Sequence, residues 1–179
     1  MFRKIGNTNK PNPATWVIWA WLAIQNSWSY FAMGHDWAKS FIAMVSSVLC
    51  IATFLFALFA GKFSKLDRWE IVIVLMCLMT MIVWKVYGSA TVGNMLTQIV
   101  FIVSFIPTYQ TVGNNGGQEH GLPWLLWAGA YLVSLTAVCA NWTNVWYQIV
   151  YPINAMLLHG GVAIYATYLR KYGAVVVRH

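Results

Sequence analysis

Apolar positions in this chain run in long blocks separated by short polar breaks. Six blocks, roughly 15–33, 40–60, 69–87, 92–110, 122–140 and 146–169, meet or approach the length that spans a bilayer as a helix, which is about 20 residues. A spanning barrel would show short strands with a sustained period of two, and these blocks are too long and lack that alternation. The pattern predicts an all-α membrane protein of six transmembrane helices. A polar N-terminal arm (1–14) precedes the bundle (15–170), and a C-terminal tail (171–179) follows it.

Composition agrees with the pattern. The 179 residues are 60% hydrophobic and 8% charged, with mean hydropathy +0.61, whereas a soluble domain carries about 25% charged residues. A chain this apolar is also not a disordered one. The blocks leave no room for a soluble domain between them, so one compact bundle is expected.

Net charge is +7, and its placement gives it meaning. Arg3, Lys4 and Lys10 lie in the arm, Lys62, Lys65 and Arg68 between helices 2 and 3, and Arg170, Lys171 and Arg178 at the C-terminal end. An even number of spans puts all nine on one side, leaving only Lys39 and Lys85 on the other. Cytoplasmic segments carry the excess of Lys and Arg, so both termini are expected in the cytoplasm. The basicity reads as orientation, with some contact to anionic lipid, and not as a nucleic-acid surface.

The arm followed by an apolar stretch resembles a signal peptide. Gln25 and Asn26 interrupt the stretch and no A-x-A site follows, so 15–33 reads as a retained helix. Cys50, Cys77 and Cys139 lie inside apolar blocks without CxxC spacing and read as packed thiols. His35, His120, His159 and His179 are scattered and form no metal-binding pattern. Neither a cofactor motif nor a catalytic constellation is present, and the expectation is a protein that is not an enzyme.

Polar residues inside the blocks need partners, because lipid supplies none. Helix 1 is dense in tryptophan and carries Gln25, Asn26, Ser27 and Ser29. Asp67 is placed to cap helix 3. Asn94, Thr97 and Gln98 share one face of helix 4, and Pro107 should kink or end that helix. Glu119 is either part of a gate with a cytoplasmic Arg or Lys, or simply solvated. Asn154 either faces a cavity with Asn94 or Gln98, or is glue between helices. His159, an ionisable group at mid-helix, is either functional or a hydrogen-bonded neutral imidazole.

Residues 94–170 resemble the three-helix repeat of the PQ-loop/SWEET superfamily of small-solute transporters. The resemblance rests on Pro107 with Gln110, on Gly121-Leu122-Pro123-Trp124-Leu125-Leu126-Trp127, and on Pro152-Ile153-Asn154. The segment Pro11-Asn12-Pro13-Ala14-Thr15-Trp16 is similar to the start of a second helix in such a repeat. The motif here is Pro-Thr, with Gln three residues on. The resemblance implies a SWEET-like bundle lacking its first helix, with helix 3 as the linker between repeats. Together with the clustering of polar side chains on helices 4 and 6, it leads to the expectation of a small polar solute bound by Asn154, Trp127, Gln98, Asn94 and His159, with Pro107 as hinge. Lacking a hinge helix in its first repeat, the protein is expected to work as a homo-oligomer or with other membrane subunits. The alternative is a non-transporting accessory subunit of a larger membrane complex.

Overall fold

The structure, a computed structural model, describes residues 12–63, 65–114 and 119–176, with side chains placed as far as residue 172. Residues 1–11 of the expected arm, most of the glycine-rich loop at 113–117 and residues 177–179 of the expected tail lie outside the described residues.

The described chain is helical, and local chemistry sets most of its boundaries. Helix α1 (Pro13–Gly34) begins with proline at its first position, where the missing N–H costs nothing. Asn12 caps it, accepting from the Ala14 N–H at 3.2 Å. Helix α2 (Trp37–Ala60) is capped by Asp36, which accepts from the Lys39 N–H at 3.1 Å. Helix α3 (Arg68–Tyr87) opens on the expected Asp67 cap, completed as a capping box in which the Glu70 side chain accepts from the Asp67 N–H. It closes at Gly88, whose φ of 65° suits a residue without Cβ. Helices α4 (Ala90–Asn114) and α5 (Gly121–Ala140) follow, and a short 3₁₀ turn (Trp146–Ile149) leads into α6 (Val150–Val176).

Three boundaries differ from the expectation. Helix α1 starts inside the predicted arm, and α6 continues through Val176 instead of giving way to a tail at 171. Helix α4 runs through Pro107 to Asn114. The proline withholds one donor from the Val103 carbonyl, and the helix continues beyond it, as neighbouring helices allow in a membrane bundle.

Five of the six helices are long and apolar enough to cross a membrane, which makes this an integral multi-pass membrane protein. The exception, α1, is 22 residues long but loses apolarity to Gln25, Asn26, Ser27 and Ser29. All four are buried. Helix α1 packs against α2, α3 and α4, so its polar side faces protein. Elsewhere α6 lies between α4 and α5, α2 meets α5, and α3 rests on α4. Helix α3 is peripheral, with large exposed hydrophobics such as Ile71, Leu75, Met79 and Ile82.

The start of α5 approaches α6 closely. A Cβ on Gly121 would stand 2.5 Å from Thr167 Oγ1 and 2.7 Å from the Ala163 carbonyl oxygen. Gly129, eight residues along the same helix, has nothing within 4 Å of its would-be Cβ. Gly121→Ala is expected to destabilise the bundle by about 1–2 kcal/mol through overpacking against backbone. Gly129→Ala should instead stabilise by up to about 1 kcal/mol through helix propensity. Thermal unfolding in detergent checks the pair, and shifts of the same sign would contradict the close approach.

Candidate functional site

A cavity of about 530 Å³ lies within the bundle, walled by residues of all six helices. One end is marked by Thr15 in the first turn of α1, Asp67 and Glu70 at the start of α3, Thr111 in the last turns of α4, and Glu119 just before α5. These positions share one end of the bundle. From Thr15 the lining continues along α1 to Asn26, roughly 16 Å at 1.5 Å per residue.

The walls are aromatic. Trp16 and Trp19 come from α1, Phe101 and Phe105 from α4, Trp124, Trp127 and Tyr131 from α5, and Tyr151 from α6. Trp19 meets Phe105 edge-on at 5.7 Å between centroids, and Trp127 stacks on Tyr131 at 6.0 Å. His159 sits among these rings, 4.9 Å from Phe105, 5.0 Å from Tyr131 and 5.7 Å from Trp124. Its Nδ1 lies 2.8 Å from the Ala155 carbonyl oxygen. A carbonyl only accepts, so Nδ1 carries the proton, and in the neutral imidazole Nε2 is the acceptor. Among the described residues Nε2 has no hydrogen-bond partner, although the side chain is only 8% exposed.

The cavity end is acidic. Three of the chain's four carboxylates, Asp67, Glu70 and Glu119, line it. Glu119 accepts from the Trp124 indole N–H at 3.1 Å, a partner that neither the expected Arg/Lys gate nor simple solvation included. Glu70 is buried and accepts from the Thr15 hydroxyl and the Asp67 N–H. Among the described residues the ion pair within 4 Å is Lys39–Asp36, at the opposite end of the bundle. None of the three lining carboxylates therefore has a cationic partner among the described residues.

Asn94, Gln98 and Asn154 are brought together elsewhere. The Gln98 Nε2 donates to Asn26 Oδ1 at 2.7 Å and to Asn94 Oδ1 at 3.3 Å, while its Oε1 accepts from Asn154 Nδ2 at 3.2 Å. Asn94 Nδ2 donates to Ser29 Oγ at 2.9 Å and to Asn26 Oδ1 at 3.3 Å. This network ties α1, α4 and α6 together, and Asn26 alone of its amides lines the cavity. Of the expected solute-binding residues, Trp127 and His159 are on the cavity wall, as is Pro107. Asn94, Gln98 and Asn154 are not among its lining residues, and their amides bond to one another and to Asn26.

The far end is held by a second polar group. Lys39, 3% exposed, donates to Gln148 Oε1 at 2.9 Å and lies 3.7 Å from Asp36 Oδ2. Tyr30 donates to the Gln148 carbonyl at 2.6 Å. None of these four residues lines the cavity.

Sequence reasoning missed the acidic lining and most of the aromatic wall. One signal was available: with an even number of spans, Asp67, Glu70 and Glu119 fall on one side. Among the described residues no group of three His, Cys, Asp or Glu is placed to hold a metal ion. Compared with known protein families, characterised proteins and solved structures, the chain shows no significant match.

Proposed function

We propose that this chain is a six-span membrane protein, with both termini cytoplasmic, that binds a small solute in the aromatic cavity and passes it across the bilayer. The observation that carries the reading is the cavity itself. Its volume of about 530 Å³ falls within the range of small-molecule sites, roughly 300–1,000 Å³. Its acidic end lies on the side of Lys62, Lys65, Arg68 and Arg170, which the charge rule makes cytoplasmic. The Lys39–Gln148–Tyr30 group at the other end fits a closed outer side. Pro107, on the wall, frees a backbone carbonyl at a position where α4 can bend, as broken helices do beside transporter sites. The PQ-loop/SWEET-like arrangement belongs to this reading, as does assembly into a homo-oligomer. Trp127 and His159 contact the solute, while Asn94, Gln98 and Asn154 hold the helices that frame it.

Cys50 lines the cavity, whereas Cys77 is buried away from it and Cys139 is exposed on α5. With Cys77 and Cys139 replaced by alanine, a membrane-impermeant trimethylammonium methanethiosulfonate reagent should modify Cys50 in inside-out vesicles and spare it in right-side-out ones. Labelling from outside only, or from neither side, overturns the reading. The alternative is a non-transporting subunit. It predicts that the chain purifies with other membrane proteins at a larger native mass and that no solute protects Cys50.

A further inference from the structure

Three features of the cavity bear on what enters it, and this step rests on the solute-binding reading above. Its walls present tryptophan, tyrosine and phenylalanine faces, notably Trp16, Trp19, Trp124 and Trp127. A ring face attracts a cation through its quadrupole, tryptophan most strongly, and more so when water is excluded. At one end stand three carboxylates without a cationic partner among the described residues, in a chain whose net charge is +7. Among the described residues the wall of the cleft holds these carboxylates and no Lys or Arg, so inside its low-dielectric space they favour a cation over an anion, while the surface around that end carries Lys62, Lys65, Arg68 and Arg170. Deeper, His159 Nε2 is an acceptor without a partner among the described residues, on a side chain that is otherwise buried.

We infer that the cavity takes an organic cation, an alkylated ammonium held by the tryptophan faces and the Asp67, Glu70 and Glu119 carboxylates, with a hydrogen-bond donor on its other end for His159. A primary ammonium or a metal ion would keep its hydration shell and gain less from the indole faces. A methylated ammonium has little hydration to lose and presents an apolar shell to them. The trimethylammonium group occurs on free solutes and on phosphatidylcholine, whose phosphodiester has no donor for His159, so the two sources are separated in the test.

Protein in nanodiscs of phosphatidylethanolamine and phosphatidylglycerol, free of choline lipids, is titrated with choline and with its uncharged carbon isostere, 3,3-dimethyl-1-butanol. Choline is expected to bind at least ten-fold more tightly, since about 1.4 kcal/mol separates ten-fold affinities and a desolvated cation–π contact with nearby carboxylates supplies that much. Glu119→Gln keeps the acceptor for Trp124 and Glu70→Gln keeps the capping box, so both variants should fold. Each should weaken choline about three- to ten-fold, an order-of-magnitude expectation for one partly screened charge. His159→Phe should weaken choline more than it weakens tetramethylammonium, which has no donor. At Cys50 the trimethylammonium methanethiosulfonate should react at least ten-fold faster than the sulfonate analogue, each normalised to its rate with a free thiol. In a separate arm, short-chain phosphatidylcholine that competes with choline assigns the head group to a lipid, and failure to compete assigns it to a free solute. Equal affinity for choline and its isostere, or equal rates for the cationic and anionic reagents at a Cys50 that still labels from inside only, overturns the cation inference and leaves the solute-binding reading standing. Absence of labelling from inside fails both.

Discussion

Gln98→Leu is expected to lower the stability of the protein by about 2–4 kcal/mol, because it removes the hub of a buried amide network and strands Asn94 Oδ1. Leucine nearly matches glutamine in volume, so little of the loss comes from a void. What disappears is the bond to Asn26 Oδ1 at 2.7 Å, the bond to Asn94 Oδ1 at 3.3 Å and the acceptor for Asn154 at 3.2 Å. Asn154 keeps the Gln98 backbone carbonyl at 3.2 Å and Asn26 Oδ1 keeps the Asn94 amide. Asn94 Oδ1 is left with no acceptance from a side chain. Single interhelical hydrogen bonds in membranes average only about 0.6 kcal/mol, so a large effect requires the whole network to be lost together. For a chain of this length the expected fall in Tm is roughly 5–12 °C. Thermal unfolding in detergent measures it, with Asn154→Leu as the milder comparison at the edge of the network. If Gln98→Leu left the Tm in place but abolished solute protection of Cys50, Gln98 would be a solute ligand rather than a frame residue.

Gln148→Leu should cost about as much, near 3–4 kcal/mol, for a different reason: it leaves a buried ammonium without its amide partner. Lys39 is 3% exposed and reaches Gln148 Oε1 at 2.9 Å, with Asp36 at 3.7 Å as its other support. The comparison with Lys39→Met is informative. Removing the lysine removes the charge that needed a partner, so that variant should lose much less than Gln148→Leu. Because Gln148 also receives the Tyr30 hydroxyl on its backbone, the 3₁₀ turn before α6 should loosen only in part. In the transport reading this end is the outer closure, so Gln148→Leu should also make Cys50 reachable from outside. Unfolding curves of the two variants test the asymmetry. Equal losses would mean that the ammonium finds water once its amide is gone.

These two clusters differ from the cavity in how readable they were. Asn94, Thr97 and Gln98 share a helical face, and that spacing announced a polar stripe needing partners inside the bundle. The sequence did not announce that the partner is Asn26 of α1, 72 positions from Gln98. Amide groups on helices satisfy one another or a solute equally well on paper, and only the inter-helix distance decides between them. The same holds for Glu119, whose partner is an indole five residues along rather than a distant Arg or Lys.

By itself the sequence determined the class, the helices and most of their ends. Block length measures the bilayer, and a local signal such as the Asp67 cap acts within a single turn, so neither depends on the rest of the chain, whereas the start of α1 at Pro13 falls inside the predicted arm. Only the tertiary structure decided which polar groups bond to one another and which line a cavity. It spent Asn94, Gln98 and Asn154 on a frame, sent α4 through Pro107, and gathered Trp124, Trp127 and His159 with three carboxylates around one cavity. That choice is made by the order in which helices pack, which brings together residues far apart in sequence and leaves no trace in the spacing of any one helix.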